Sequence, residues 1–178
     1  MKIPAPVVLA AAALGCASPM PLSELAELES NLWECALAVV PPGVELPCGA
    51  TGNPFLTSER TDLDCFGGML FPVGGHRHHH SSGDSARAPT SGEASPLVAE
   101  LEEFLLSVYH GEGGAEAGIF GLRFSNEEAA QSAADSLRAR GNGVSEVHLK
   151  GNLVVRVWRD RGGDGCSARL DSLVRRRL

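Results

Sequence analysis

The residues with the clearest chemical potential form a histidine tract that reads His76-Arg77-His78-His79-His80. Imidazole is the commonest metal ligand, and histidine-rich tracts bind Zn²⁺, Cu²⁺ or Ni²⁺. In an extended segment His78 and His80 project from one side, and His76 and His79 complete the candidate set. No carboxylate or cysteine stands at tight ligand spacing beside the tract. We therefore expect no resident cofactor, and we keep a divalent transition-metal site on this tract as an alternative.

The cysteines give a second pattern, which concerns folding rather than catalysis. Apart from Cys16 near the N-terminus, the chain has Cys35, Cys48, Cys65 and Cys166. Two disulfide bonds among these four allow three connectivities. Since only Cys166 lies in the second half, every complete pairing joins it to the first half. This predicts one covalently stapled body in an oxidising compartment, and the alternative is four reduced thiols in a cytoplasmic protein.

Sequence patterns of the common enzyme classes are missing. The chain has no Gly-x-Ser-x-Gly nucleophile elbow, no His-Glu-x-x-His zinc motif and no phosphate-binding glycine loop after a strand. No two cysteines have the two-residue gap of a redox motif or a metal knuckle. Residues Asp160–Gly165 lack the alternating ligands of a calcium loop and predict a turn. We therefore expect a non-enzyme, with an unrecognised hydrolase as a weaker alternative.

The N-terminal segment Met1–Ser18 combines one lysine, a short apolar run and small residues, which is typical of a targeting segment. The apolar run is too short to span a membrane as a helix of the mature protein. Ala13-Leu14-Gly15-Cys16 resembles the lipobox of bacterial lipoproteins. The resemblance implies that residues 1–15 are a signal peptide and that Cys16 carries the acyl chains, palmitate included, which anchor the protein to the membrane. The alternative is cleavage after Ala17 to give a secreted or periplasmic protein.

Composition divides the rest of the chain into three parts. Residues 16–75 hold an N-terminal helix and an irregular cysteine-containing region, residues 76–95 form a His/Ser/Gly-rich linker, and residues 96–178 form a module of order α-β-α-β-β-α. The net charge is −7, and the arginines of the second half are scattered without interleaved aromatic residues, which argues against a nucleic-acid partner. We expect a non-catalytic binding or structural module of the cell envelope whose partner is another envelope protein.

Residues 118–158 carry the strongest structural signals. Phe120, Leu122 and Phe124 alternate with other residues and predict a strand. Ser125 and Glu128 form a capping box, which predicts a helix that starts after Ser125 and ends near Arg140. The stripe that this helix buries is predicted to be Ala129, Ala130, Ala133, Ala134 and Leu137.

A hairpin follows, with Lys-Gly-Asn as its predicted turn. Val147 and Leu149 are predicted to share the buried face with the second strand's Leu153, Val155 and Val157. The opposite face is predicted to hold Glu146, His148, Arg156 and Trp158. The β-α-β-β order predicts an α+β fold with a small sheet covered by helices, and it resembles half of a ferredoxin-like sheet.

Apolar periodicity predicts three further helices, over Leu22–Val40, from Pro96 to near His110, and over Cys166–Arg175. The buried stripe of the last helix is predicted to be Leu170, Leu173 and Val174. The turn-rich residues 41–75 are predicted to contain one short strand, at Met69–Phe71.

Overall fold

The computed structural model describes residues 20–26, 38–40, 43–44, 46–73, 95–111, 116–140, 145–159 and 164–178. Within these residues the chain is a mixed α+β protein whose helices pack against one antiparallel sheet. The helices are α1 (Leu22–Ala26), α2 (Arg60–Leu70), α3 (Pro96–Ala99), α4 (Glu127–Arg140) and α5 (Asp164–Arg177), with a 3-10 turn at Pro47–Gly49. The strands are β1 (Ala38–Val39), β2 (Phe55–Thr57), β3 (Leu101–His110), β4 (Glu116–Phe124), β5 (Glu146–Lys150) and β6 (Leu153–Arg159). None of the helices in these ranges has the length and apolar composition that crossing a membrane requires.

The sheet has the strand order β1-β3-β4-β6-β5, and β2 also pairs with β3. β1 pairs at His110 and β2 pairs around Leu106, so both short strands lie along the same edge of β3. Between them the side-chain amide of Asn53 takes the place of a strand backbone. Its Oδ1 accepts from the Val108 N–H at 3.0 Å, and its Nδ2 donates to the Val108 carbonyl. Strands from the first half of the chain thus extend a sheet whose centre belongs to the second half.

Both faces of the sheet are covered, because alternate side chains of each strand enter different hydrophobic clusters. On one face, named here the α2/α4 face, Phe104 and Leu122 pack with residues of α2 and α4. On the other, the α1/α5 face, Leu105 and Ile119 pack with residues of α1 and α5. The sheet is therefore the middle of three layers.

β3 corrects the prediction of a helix from Pro96 to near His110. Only Pro96–Ala99 is helical, and the Ser95 hydroxyl accepts from the Leu97 N–H at its start. The next ten residues form a strand that is buried on both sides from Phe104 to Tyr109. A strand covered on both faces shows no period-2 alternation, so its apolar run also satisfies helical spacing.

α2 corrects the predicted strand at Met69–Phe71 and gives regular structure to part of the turn-rich residues 41–75. The helix spans eleven residues and buries Leu63, Phe66 and Leu70. Its sequence contains Gly67-Gly68, which lowers helix propensity and hid the element. The reason for Gly67 is spatial, because a Cβ at this position would lie 2.7 Å from Val98 Cγ1 of α3.

The predicted N-terminal helix is too long. α1 ends at Ala26, and Ala38–Val39 form β1 instead of a last helical turn. Residues 27–37 lie outside the described residues. The terminal helix is confirmed and longer than expected, and its predicted stripe of Leu170, Leu173 and Val174 is buried.

α4 is confirmed with its stripe, since Ala129, Ala130, Ala133, Ala134 and Leu137 are all buried. The capping box is wrong. Asn126 Oδ1 accepts from the Ala129 N–H at 2.8 Å, whereas the Ser125 hydroxyl donates to the Glu100 carboxylate. Asparagine caps a helix as well as serine does, because its side chain is also short and carries an acceptor oxygen. Asn126 is therefore the N-cap, and α4 begins at the next residue.

Candidate functional site

The β5–β6 hairpin decides which side chains reach which face of the sheet. Lys150 pairs with Leu153 across a two-residue turn, and Gly151 enters it with φ of +58°, a left-handed value that favours glycine. The predicted turn was one residue longer. Since a one-residue change of register moves every side chain of a strand to the other face, the prediction that Val147 and Leu149 share a face with Leu153, Val155 and Val157 is wrong. In the structure His148 pairs with Val155 and lies on the α1/α5 face.

The polar side chains of β5 bind α5 on the α1/α5 face. His148 Nε2 lies 2.5 Å from Asp171 Oδ1, and both side chains are largely buried. The Arg175 guanidinium donates to Asp171 Oδ2 at 2.8 Å and lies 3.9 Å from Glu146. The hydrogen bond from Arg175 to Asp171, followed by their charge attraction, raises the pKa of Arg175. Lys150 donates to the backbone carbonyl that ends the described chain. These groups hold the terminal helix in place.

Arg156 projects from β6 onto the α2/α4 face, between Phe120 of β4 and Val147 of β5. It is half-buried, and one Nη2–H donates to Ser145 Oγ at 3.2 Å. Its Nε lies buried without a hydrogen-bond partner among the described residues, and no described carboxylate forms an ion pair with it. Burial lowers the pKa of Arg156. A guanidinium that has lost part of its hydration thus has no counter-charge within the described part of the chain.

Trp158 lies on the same face, two residues further along β6. Its indole covers Gly118 of β4, where a Cβ would lie 2.5 Å from Trp158 Cε2 and 2.4 Å from the Ser107 carbonyl oxygen. The glycine therefore permits the close approach of the indole to the strand. The indole Nε1 is buried and has no hydrogen-bond partner within the described residues.

A row of aromatic rings connects Trp158 to the core under α2. Ring centroids are 4.2 Å apart for Phe66 and Phe104, 6.0 Å for Phe104 and Phe120, and 5.8 Å for Phe120 and Trp158. The first two rings are fully buried, whereas Phe120 and Trp158 keep part of their surface in solvent. We name Phe120, Ser145, Arg156 and Trp158 the Arg156–Trp158 surface.

The last turn of α4 borders this surface. Arg138 of α4 donates to the backbone carbonyl of Val147, the cross-strand partner of Arg156, at 3.2 Å. Arg140 donates to the Leu70 carbonyl, at the end of α2, at 2.9 Å. Helix C-termini carry partial negative charge, which favours a cation beside them. The geometry offers the Arg156 guanidinium, with the guanidinium of Arg138 at its border, and two aromatic planes.

The sequence singled out other residues, most of which lie outside the described residues. His76, His78, His79, His80, Cys16 and Cys35 belong to this group, and so does the side chain of Cys166. Within the described ranges no group of three or more His, Cys, Asp or Glu is placed to hold a metal ion. Cys48 and Cys65 are disulfide-bonded with their Cα atoms 5.9 Å apart, which joins the 3-10 turn to α2.

Sequence reasoning placed Arg156 and Trp158 on the hairpin face that also holds His148, and the two-residue turn separates them from it. The signal that marks the site is an arginine inside an otherwise apolar strand, Leu-Val-Val-Arg-Val-Trp. Comparison with known proteins adds no further signal: no family model, no curated protein and no solved structure matches this chain.

Proposed function

We propose that this protein is an exported module, anchored to a bacterial membrane through acylated Cys16, which binds another envelope protein without catalysis. The observation that carries the proposal is the half-buried guanidinium of Arg156, which has no carboxylate partner among the described residues and lies beside Trp158 and Phe120. A partly desolvated charge without a counter-charge opposes folding, so a counter-charge from a bound partner would give it a role. Arginine and aromatic residues are also the types enriched at the centres of protein interfaces.

Two features support export. The first feature is the lipobox-like Ala13-Leu14-Gly15-Cys16, which would combine an export signal with a cysteine that carries the lipid anchor. The Cys48–Cys65 bond is typical of oxidising compartments. With that pair formed, Cys35 and Cys166 remain, and we propose that they form the second bond. The described strands favour it, because β1 starts opposite His110, at the end of the sheet where β6 finishes opposite Ala117.

A finer proposal concerns the fold. We propose that β4, α4, β5 and β6 form a half-ferredoxin-like β-α-β-β unit. The pairing of β4 with β6 and of β6 with β5 supports this order, since β6 then lies between the two strands that α4 connects.

The first test is the intact mass of the protein from the membrane fraction of its own cells, before and after reduction. We expect a chain that begins at acylated Cys16 and gains two hydrogens for each of two disulfide bonds. A full-length chain with free thiols would refute export, anchoring and the second bond together.

The second test addresses binding. A photo-reactive benzoylphenylalanine replaces Phe120 in living cells, and the matched control carries it at Arg176, which is exposed on α5. We expect a discrete adduct with an envelope protein from position 120 that disappears with Arg156→Gln, and no such adduct from position 176. Equal adducts from both positions, or none from 120, would contradict a binding function of this surface.

The alternatives have their own tests. A metal-binding envelope protein predicts stoichiometric, micromolar or tighter Zn²⁺, Cu²⁺ or Ni²⁺ binding that His78→Ala with His80→Ala abolishes. A hydrolase predicts turnover in a broad ester and peptide substrate screen. Either result would replace the proposal of a non-catalytic, metal-free binding module.

A further inference from the structure

β5 lies at one end of the described sheet, with β6 beside it on the inner side. Lys150 and Leu153 close the two-residue turn of the hairpin and exchange backbone hydrogen bonds. Because such pairs alternate along an antiparallel ladder, every second residue of β5 directs its backbone N–H and C=O away from β6. The residues that do so are Val147 and Leu149.

The outward backbone groups of Val147 and Leu149 are open in the described part of the chain, with one exception. The Val147 carbonyl accepts from Arg138 Nη2 of α4 at 3.2 Å. A carbonyl oxygen has two lone pairs, so this contact leaves one of them for a second donor. Both residues can therefore exchange N–H···O bonds with a further strand.

The sequence of β5, Glu-Val-His-Leu-Lys, is complementary to itself in one register. In an antiparallel pair centred on His148, Glu146 of each copy faces Lys150 of the other. The same register sets Val147 opposite Leu149, so that the outward backbone groups of the two copies meet. Opposite charges at directly paired positions stabilise a sheet, and like charges destabilise it. A parallel, in-register pair would set glutamate against glutamate and lysine against lysine, so the charges favour the antiparallel arrangement.

The charged ends of β5 are available for these contacts. The Glu146 side chain is 65% exposed, and the Arg175 guanidinium 3.9 Å away is bound more closely by Asp171. Lys150 is exposed and donates to the carbonyl that ends the described chain. Glu127 of α4 lies beside the turn of the hairpin, on the α2/α4 face. A lysine on an edge strand disfavours indiscriminate pairing, and here Glu146 of the other copy supplies the opposite charge.

The helices on both faces leave space for a second copy. α4 packs over β5 and β6, and α5 packs over β6 and β4. With neighbouring strands about 4.8 Å apart, twofold pairing at β5 sets the two copies of α4 about 10 Å apart, which is the spacing of packed helices. The two copies of α5 lie further apart. Both helix layers therefore continue across the pair.

We infer that β5 pairs with β5 of a second copy of this chain, antiparallel and centred on His148, and joins the two sheets around a twofold axis. Such an interface uses the same surface of both copies, as the self-complementary sequence of β5 requires. The inference goes beyond the proposed binding function, because it uses none of the residues of the Arg156–Trp158 surface.

The test measures self-association of the full chain by sedimentation equilibrium, in a detergent whose density matches that of the solvent. Glu146→Lys sets lysine against Lys150 at both ends of the pair, and Lys150→Glu sets glutamate against Glu146. We expect the unchanged chain to dimerise and each variant to dimerise about tenfold more weakly. Arg176→Glu, the same charge change as Lys150→Glu at an exposed site of α5, leaves the dimerisation constant unchanged.

Two rescue experiments separate pairing from an effect on the fold. Glu146→Lys combined with Lys150→Glu in one chain restores opposite charges and the dimer. An equimolar mixture of the two single variants forms a heterodimer more tightly than either variant associates alone, because each supplies the charges that the other lacks. A charge change that only disturbs the fold would not be reversed by mixing.

Backbone hydrogen exchange locates the contact. We expect the N–H groups of Val147 and Leu149 to exchange at least about tenfold more slowly in the dimer than in the monomer, because both point into the new pairing.

Four outcomes would overturn the inference: a chain that stays monomeric throughout the micromolar range, single variants that dimerise like the unchanged chain, a mixture without heterodimer, or no slowing of exchange at Val147 and Leu149. The result is independent of the adduct at Phe120. An adduct without a dimer leaves the binding function standing and refutes the pairing, whereas a dimer without an adduct does the reverse.

Discussion

The two faces of the β5–β6 hairpin differ in whether their arginines have carboxylate partners. On the α1/α5 face, Asp171 and Glu146 surround Arg175, and its hydrogen bond to Asp171 raises its pKa. On the α2/α4 face, Arg156 has one hydroxyl partner and no described carboxylate, and burial lowers its pKa. The same strands thus carry a satisfied set of charges and an unsatisfied one. The described chain explains the first set, whereas none of the described groups explains the second.

Steric contact at two glycines gives the largest expected difference between the faces. At Gly118 a Cβ meets a backbone oxygen at 2.4 Å and the Trp158 ring at 2.5 Å, and at Gly121 it meets the flexible end of Leu22 at 2.8 Å. We expect Gly118→Ala to lower the free energy of unfolding by about 3 kcal/mol and Gly121→Ala by about 1 kcal/mol, measured by urea unfolding. Equal losses would show that the indole is not held against β4.

The arginines of the two faces provide an intermediate effect of opposite sign. Arg123, on the α1/α5 side, pairs with Glu103 at 2.8 Å and donates to the Met20 carbonyl at 2.6 Å. We expect Arg123→Met to destabilise the protein by about 2 kcal/mol, because it leaves these acceptors unpaired. Arg156→Met, the same substitution on the other face, should stabilise it by about 1 kcal/mol. Urea midpoints that move in the same direction would remove the distinction between the faces.

The contact between β5 and α5 gives the smallest effect. The Asp171 side chain is 15% exposed and contacts His148 of β5, whereas the Asp135 side chain is 62% exposed and accepts from Arg138 and Gln131 of its own helix. We expect Asp171→Asn to cost about 1 kcal/mol of unfolding free energy, since a largely buried charge-assisted hydrogen bond weakens. Asp135→Asn should change it by less than about 0.5 kcal/mol. If the two variants unfold at the same urea concentration, the polar contacts do not fix α5.

Local signals predicted the elements in which one face is apolar. The alanine stripe of α4 and the Leu170–Val174 stripe of α5 are buried as predicted, because each helix rests on one layer only. β4 also forms at the predicted place, where Phe120, Leu122 and Phe124 alternate with Gly121 and Arg123.

The errors arose where tertiary contacts decide the structure. β3 is buried from both sides, and its continuous apolar run from Phe104 to Tyr109 carries no period that distinguishes strand from helix. α2 contains Gly67, which reads as a breaker and is required by the contact with Val98. Only the structure reveals that contact.

The candidate site depended on one backbone detail. The sequence alone places Arg156 and Trp158 on the face of β6 opposite Val155 and Val157. Which residues of β5 lie beside them depends on the length of the turn at Gly151, which the sequence does not specify. The unpaired donors and the missing counter-charge are properties of three-dimensional surroundings. No pattern of residue types specifies them.

The edges of the sheet also determine how molecules of this protein can associate. One side ends in β1 and β2, which are two and three residues long, with the Asn53 amide between them. The other ends in β5, a five-residue strand. Short edge strands are poor templates for a second sheet. With a single edge of useful length among the described strands, edge-to-edge pairing stops at two copies, because propagation into a filament needs two complementary edges on each molecule.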